Sequence, residues 1–76
     1  MNFKTNEKGG WIVPEGTRLA AGTKIPAYSE FGDGCVLEED CVLGDGCSLG
    51  NRCVLGFGCV LGKRCVIGDG LQSWRM

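Results

Sequence analysis

The sequence predicts an all-β fold, a short parallel β-helix of about three coils, and three observations carry that prediction. Between Phe31 and Gly70 a cysteine returns at every sixth residue: Cys35, Cys41, Cys47, Cys53, Cys59 and Cys65. Two residues after each stands an aliphatic side chain, at Leu37, Leu43, Leu49, Leu55, Leu61 and Ile67. In five of the six units a glycine follows directly.

A six-residue interval suits a strand, where residues two apart share a face, and does not suit a helix. In Cys35-Val36-Leu37 the thiol and the leucine therefore point one way and the valine the other. The next three residues, as in Gly44-Asp45-Gly46 or Gly50-Asn51-Arg52, are turn chemistry. Each unit is a short strand plus a corner. A single unit cannot bury its apolar side, so the units must wind around a shared axis. Three corners close a triangle of about 18 residues, with residue n stacked on n+18 at the ~4.8 Å spacing of paired strands.

These units resemble the bacterial hexapeptide-repeat family, whose members read aliphatic, then glycine or a small or acidic residue, with a small residue later in the unit. The resemblance implies a left-handed parallel β-helix, against the usual right-handed crossover. It also brings to mind acyltransferases and a class of carbonic anhydrase, which use histidine as general base or metal ligand. This chain has no histidine. The protruding loop and C-terminal helix that help build acyl-donor sites in such enzymes are also missing from the pattern, so no catalytic residue, cofactor or metal ligand is assigned.

Taken in order, residues 1–10 read as a flexible polar lead-in, with Gly9-Gly10 as a hinge. The repeat phase extends backwards from the cysteines to place inward apolar residues at Val13, Leu19, Ile25 and Phe31. Thr17, Thr23 and Ser29 fill the phase that cysteine holds later. Residues 11–72 thus form one β-helix domain of ten units. Pro14 and Pro26 fall at corners, where a missing N–H is tolerable. Trp11 is expected to plug the upper end of the core, and Trp74, in the tail 73–76, to plug the lower.

With 76 residues and a formal net charge of −1, the chain makes one domain and no broad electrostatic footprint for nucleic acid or anionic membrane. No apolar run reaches the length of a membrane span and the start lacks a signal-peptide core. A cytoplasmic protein is expected.

The thiols are in strict phase with the aliphatic residues, unlike the irregular spacing of a secreted disulfide framework. They read as small buried hydrophobes. Stacked columns Cys35/Cys53, Cys41/Cys59 and Cys47/Cys65 leave disulfides as an alternative, and three thiols per coil leave a metal site as another.

Outward positions carry the functional expectation. Val36 stacks on Val54 and Val42 on Val60, making two apolar strips suited to self-association as a dimer or trimer. Acids dominate residues 30–45 and bases residues 46–64, so inter-coil pairs of Asp45 with Lys63 and Asp33 with Arg52 are expected. The corner Glu38-Glu39-Asp40 lies over Gly56-Phe57-Gly58 and reads as acidic without a basic partner. Phe57 has no core role there and reads as an anchor for a protein partner, with Tyr28, at another corner, as a second. The reading is a non-catalytic protein-interaction module, such as a compact inhibitor or adaptor of the kind phages and mobile elements carry against a host protein. The alternative is a fragment or degenerate relative of a hexapeptide acyltransferase that binds a small molecule between subunits.

Overall fold

The computed structural model describes residues 3–73 as an all-β solenoid of about three turns, with no helix among them. Twelve short strands make it up. They are β1 (Lys4–Thr5), β2 (Trp11–Val13), β3 (Arg18–Leu19), β4 (Lys24–Ile25), β5 (Glu30–Phe31) and β6 (Val36–Leu37), followed by β7 (Val42–Leu43), β8 (Ser48–Leu49), β9 (Val54–Leu55), β10 (Val60–Leu61), β11 (Val66–Ile67) and β12 (Gln72–Ser73). Three sheets form the walls: β1-β2-β5-β8-β11, β3-β6-β9-β12 and β4-β7-β10. Every parallel pairing joins residue n to n+18, as in Leu19↔Leu37 and Leu37↔Leu55.

The two-residue alternation decides what is inside. Val13, Leu19, Ile25, Phe31, Leu37, Leu43, Leu49 and Leu55 are buried, and Cys35, Cys41, Cys47 and Cys53 are fully so. Each buried aliphatic side chain contributes roughly 1.5–3 kcal/mol, and the stacked columns make one continuous core.

Corners are hydrogen-bonded between coils as well as strands. In the corners from Gly16 to Arg52 the N–H of the third residue donates to a carbonyl one coil below, as in Gly16 to Asp33 (2.9 Å), Gly34 to Asn51 (2.8 Å), Arg52 to Asp69 (2.7 Å) and Asp40 to Phe57 (3.0 Å). That geometry turns the third residue to a φ between 59° and 80°. Glycine often meets this demand, but Tyr28, Asp40, Arg52 and Arg64 do so with a side chain. For Tyr and Arg the left-handed conformation costs about 1–2 kcal/mol each.

The first corner position obeys a different rule. A Cβ built on Gly56 would lie 2.6 Å from the Glu38 carbonyl carbon and 2.7 Å from the Glu39 nitrogen of the coil above. Pro14, Ala20 and Pro26 hold this position in the uppermost coil, so their side chains meet no parallel coil above them, and Glu38, under the Ala20 corner, is the one non-glycine residue at this position in the lower coils.

Regular structure begins earlier than the repeat predicts. The expected lead-in carries β1, which pairs antiparallel with β2 through Lys4↔Ile12 and Thr5↔Trp11. Asn6 builds the turn: its Oδ1 accepts from the Lys8 and Gly10 amides at 2.9 and 3.0 Å, and its Nδ2 donates to the Tyr28 carbonyl at 2.8 Å. The Phe3 ring lies 5.4 Å from that of Trp11. Both rings pack against the core. The upper plug is thus a pair of aromatic rings on a hairpin that also covers the edge of β2. At the lower end Leu61 and Leu71 are only half-buried and Ile67 is 39% exposed. Trp74, expected as the second plug, lies outside the described residues.

Two alanine substitutions separate the corner rules. Gly34 has open space around it but a φ of 71°, so Gly34→Ala is expected to cost about 1–2 kcal/mol. Gly56→Ala forces a side chain into backbone and is expected to cost about 3 kcal/mol. Urea unfolding midpoints of the two variants check the order.

Candidate functional site

Where corner 38–41 lies above corner 56–59, the fold assembles a surface that the regular repeat would not. Glu38 takes a position that is glycine in most neighbouring units, and its carboxylate turns outward to Arg18, Nε to Oε2 at 3.2 Å. This corrects the expectation of an acidic corner without a basic partner. Arg18 belongs to the coil above, in register with Val36. Arg18 is largely exposed and Glu38 partly so, so the pair adds little stability, but it builds a rim. It is the one ion pair among the described residues.

Below that rim, Phe57 is 46% exposed at the corner apex. Val36 and Val54, half-buried, form a floor, and with Arg18, Glu38, Glu39 and Phe57 they line a shallow groove of about 510 Å³. The acidic corner and Phe57 are therefore brought together, with an apolar floor between Phe57 and the Arg18–Glu38 pair. Glu39 and Asp40 remain exposed beside them.

Tyr28 does not join this groove. The three-stranded sheet separates the two corners. The ring of Tyr28 lies against Gly46, where a Cβ would come within 2.7 Å of Cε1, and Lys8 Nζ sits 5.0 Å from the ring centroid. Asp45, Lys63 and Arg64 border the same cavity, so this second corner is aromatic and predominantly basic.

The expected inter-coil ion pairs have a different form. Asp33 Oδ1 accepts from the Asn51 amide at 2.8 Å, and Asp45 Oδ1 from the Lys63 amide at 2.8 Å. Asn51 Oδ1 continues the first ladder, accepting from the Asp69 amide at 2.9 Å. These oxygens satisfy corner N–H groups that the main-chain ladder misses. The signal was present in the sequence as an Asp33/Asn51/Asp69 column at intervals of 18.

The two valine strips also differ. Val36 and Val54 belong to the groove, whereas Val42 and Val60 on the three-stranded sheet are 40% and 55% exposed. The latter form a flat apolar face.

All six thiols are free. Each sulfur donates to a carbonyl 21 residues earlier: Cys35 to Pro14 at 3.2 Å, Cys41 to Ala20 at 3.3 Å, Cys47 to Pro26 at 3.4 Å and Cys59 to Glu38 at 3.2 Å, with Cys53 and Cys65 following at 3.5 Å. In the first coil Thr17 and Thr23 hydroxyls donate to the Pro14 and Ala20 carbonyls, both at 2.7 Å, and Ser29 to Pro26 at 2.8 Å. A thiol is small and apolar enough for the core yet still serves an inward carbonyl. Among the described residues no group of three or more His, Cys, Asp or Glu side chains is placed to hold a metal ion, and no helix is long and apolar enough to cross a membrane.

Comparison with protein-family models, characterised proteins and solved structures returns no significant match.

Burial pushes the thiols of Cys35, Cys41 and Cys47 above their ordinary value, against the lowering effect of nearby backbone amides. A raised folded pKa favours the neutral thiol, so its contribution is complete below the unfolded value of about 8.5 and is lost as pH rises through the higher folded value. Stability is expected to hold from pH ~7 to ~8.5 and to fall above that, as read by urea midpoints. A chromogenic thiol reagent should reach at most the half-buried Cys59 and Cys65 in the native protein, and all six after denaturation. Six fast thiols in the native state would contradict the core assignment.

Proposed function

We propose that this chain is a non-catalytic module that binds another protein through the groove between Phe57 and the Arg18–Glu38 pair. The observation that carries the reading is the exposure of Phe57 beside an apolar floor of Val36 and Val54, with Glu39 on the rim and Asp40 close by. An aromatic side chain at a corner apex does not serve the solenoid core, and its exposure is a cost that binding would recover. The acidic rim favours a partner segment that presents an apolar side chain flanked by lysine or arginine. A compact inhibitor or adaptor fits this description: a rigid prism offers a preorganised surface and loses little conformational freedom on binding. The chain contains no histidine to act as base or metal ligand in the manner of the acyltransferases and carbonic anhydrases its repeat resembles.

Capture from a bacterial lysate, with bound proteins identified by mass, tests the reading. One near-stoichiometric partner is expected with the natural chain. Phe57→Ala should weaken its retention at least tenfold, the effect of losing about 1.4 kcal/mol or more of hot-spot energy. Val54→Glu should act likewise, whereas Val60→Glu, on another sheet, should not. Turnover of an acyl-coenzyme A by the purified protein, or equal retention by all variants, would overturn the proposal.

A further inference from the structure

The basic corner around Tyr28 is a second surface, on a different edge of the prism from the groove. Lys8, Tyr28, Asp45, Gly46, Lys63 and Arg64 line a shallow cavity of about 480 Å³ there. Four stretches of chain assemble it: the hairpin turn before β2 and the stacked corners 26–29, 44–47 and 62–65. Lys8 comes from outside the repeat and is tied into place by Asn6. The Asn6 Oδ1 accepts from the Lys8 amide at 2.9 Å, while Nδ2 donates to the Tyr28 carbonyl at 2.8 Å. The Lys8 ammonium then sits 5.0 Å from the centroid of the Tyr28 ring.

Two features of this corner work against stability. Tyr28 and Arg64 hold the third corner position at φ 64° and 61°, whereas Gly46 between them adopts 72° without strain. Three cations also share one cavity, and none of them makes an ion pair among the described residues. Asp45 is the one acid lining it, and its Oδ1 is turned onto the Lys63 amide at 2.8 Å. Three positive charges against one negative leave a local excess of two, on a chain whose formal net charge is −1. The acids Glu7 and Glu30 line a neighbouring cavity, where Glu30 Oε2 accepts from Asn6 Nδ2 at 3.1 Å.

We infer that this cavity binds a phosphate monoester. The ester carries a charge of about −1.5 to −2 at neutral pH, which matches the local excess. A carboxylate brings a single charge, and a nucleic-acid strand needs a basic track longer than one corner. Arg64 offers a planar fork of donors, and Lys8 and Lys63 add compact charges, a set that suits the several oxygens of a phosphoryl group. Beside them the Tyr28 ring, 44% exposed, supplies an apolar wall for the organic part of the ester. The phosphoryl group is the recognised chemistry, whether a small molecule or a phosphorylated protein side chain carries it. The site does not depend on the groove at Phe57.

Titration of the purified, nitrogen-15-labelled chain with phenyl phosphate, followed by amide NMR shifts, tests this. Saturable shifts are expected at Lys8, Tyr28, Gly46, Lys63 and Arg64 and not at Phe57. The dissociation constant should be on the order of 1 mM or below at ~0.05 M salt and weaken severalfold at ~0.5 M. Arg64→Gly is the decisive variant, because it removes the fork and relieves the left-handed backbone. Binding should fall at least about fivefold while the urea midpoint holds or rises. Lys8→Gln and Lys63→Gln should each weaken binding by roughly threefold, and Lys24→Gln, outside the cavity, should not. Phe57→Ala should leave phosphate binding intact while losing the captured protein, so failure of this site and failure of the groove are told apart. Adenosine monophosphate and a phosphoserine peptide separate the two carriers, and tighter binding of either supports the site. Benzoate bound as tightly as phenyl phosphate, a short oligothymidylate bound more tightly than the monoesters, shifts spread over the whole surface, or unchanged affinity in Arg64→Gly would each overturn the inference.

Discussion

Stacking of one coil on the next at hydrogen-bonding distance is the constraint from which the rest of this molecule follows. The ladder does not stop at the strands: it runs through the corners, where from Gly16 to Arg52 the third residue of each turn donates its N–H to the coil below. Backbone brought this close leaves no room for a side chain at the glycine positions that open the later corners, such as Gly50 and Gly56. It also fixes the left-handed conformation at the third corner position, whichever residue stands there. The repeat is therefore a steric record of coil spacing, and hydrophobicity explains only its inward half.

The same spacing governs the polar groups. A corner turns some carbonyls inward and some amides outward, beyond the reach of the regular ladder. Inside, the cysteines answer the carbonyls, and in the first coil Thr17, Thr23 and Ser29 do so with hydroxyls. Outside, Asp33, Asp45 and Asn51 answer the amides of the coil below. Aspartates that resemble members of ion pairs in the linear charge pattern are thus extensions of the backbone network. What remains for recognition is the charge left over, at Glu39 and Asp40 on one corner and at Lys8, Lys63 and Arg64 on the next.

Departures from the repeat coincide with the surfaces proposed for binding. Glu38 replaces a corner glycine and meets Arg18, while Phe57 occupies an apex where Asp, Asn or Lys stands in neighbouring units. Tyr28 and Arg64 accept a backbone conformation that glycine would take without strain. A uniform solenoid would gain stability by reverting these residues, so their presence points away from stability and toward the surface.

Much of this was legible in the order of residues. The period of six, the return of aliphatic residues two after each cysteine and the turn triplets determined a three-walled β-solenoid and its core, because alternation and coil closure are local rules repeated many times. The intervals of 18 also placed Phe57 under Glu39 and Val60 under Val42. Other features depended on directions that spacing does not encode. Arg18 reaches diagonally to Glu38, Asp45 bends to an amide instead of an ammonium, and Lys8 reaches Tyr28 from a hairpin outside the repeat. The hairpin itself escaped the pattern because β1 pairs antiparallel with β2 through main-chain bonds, and its partner does not lie 18 residues away. Periodicity, then, determined which residues share a wall; only the tertiary structure decided which way their side chains turn, because that choice is made by unsatisfied donors and acceptors at the corners.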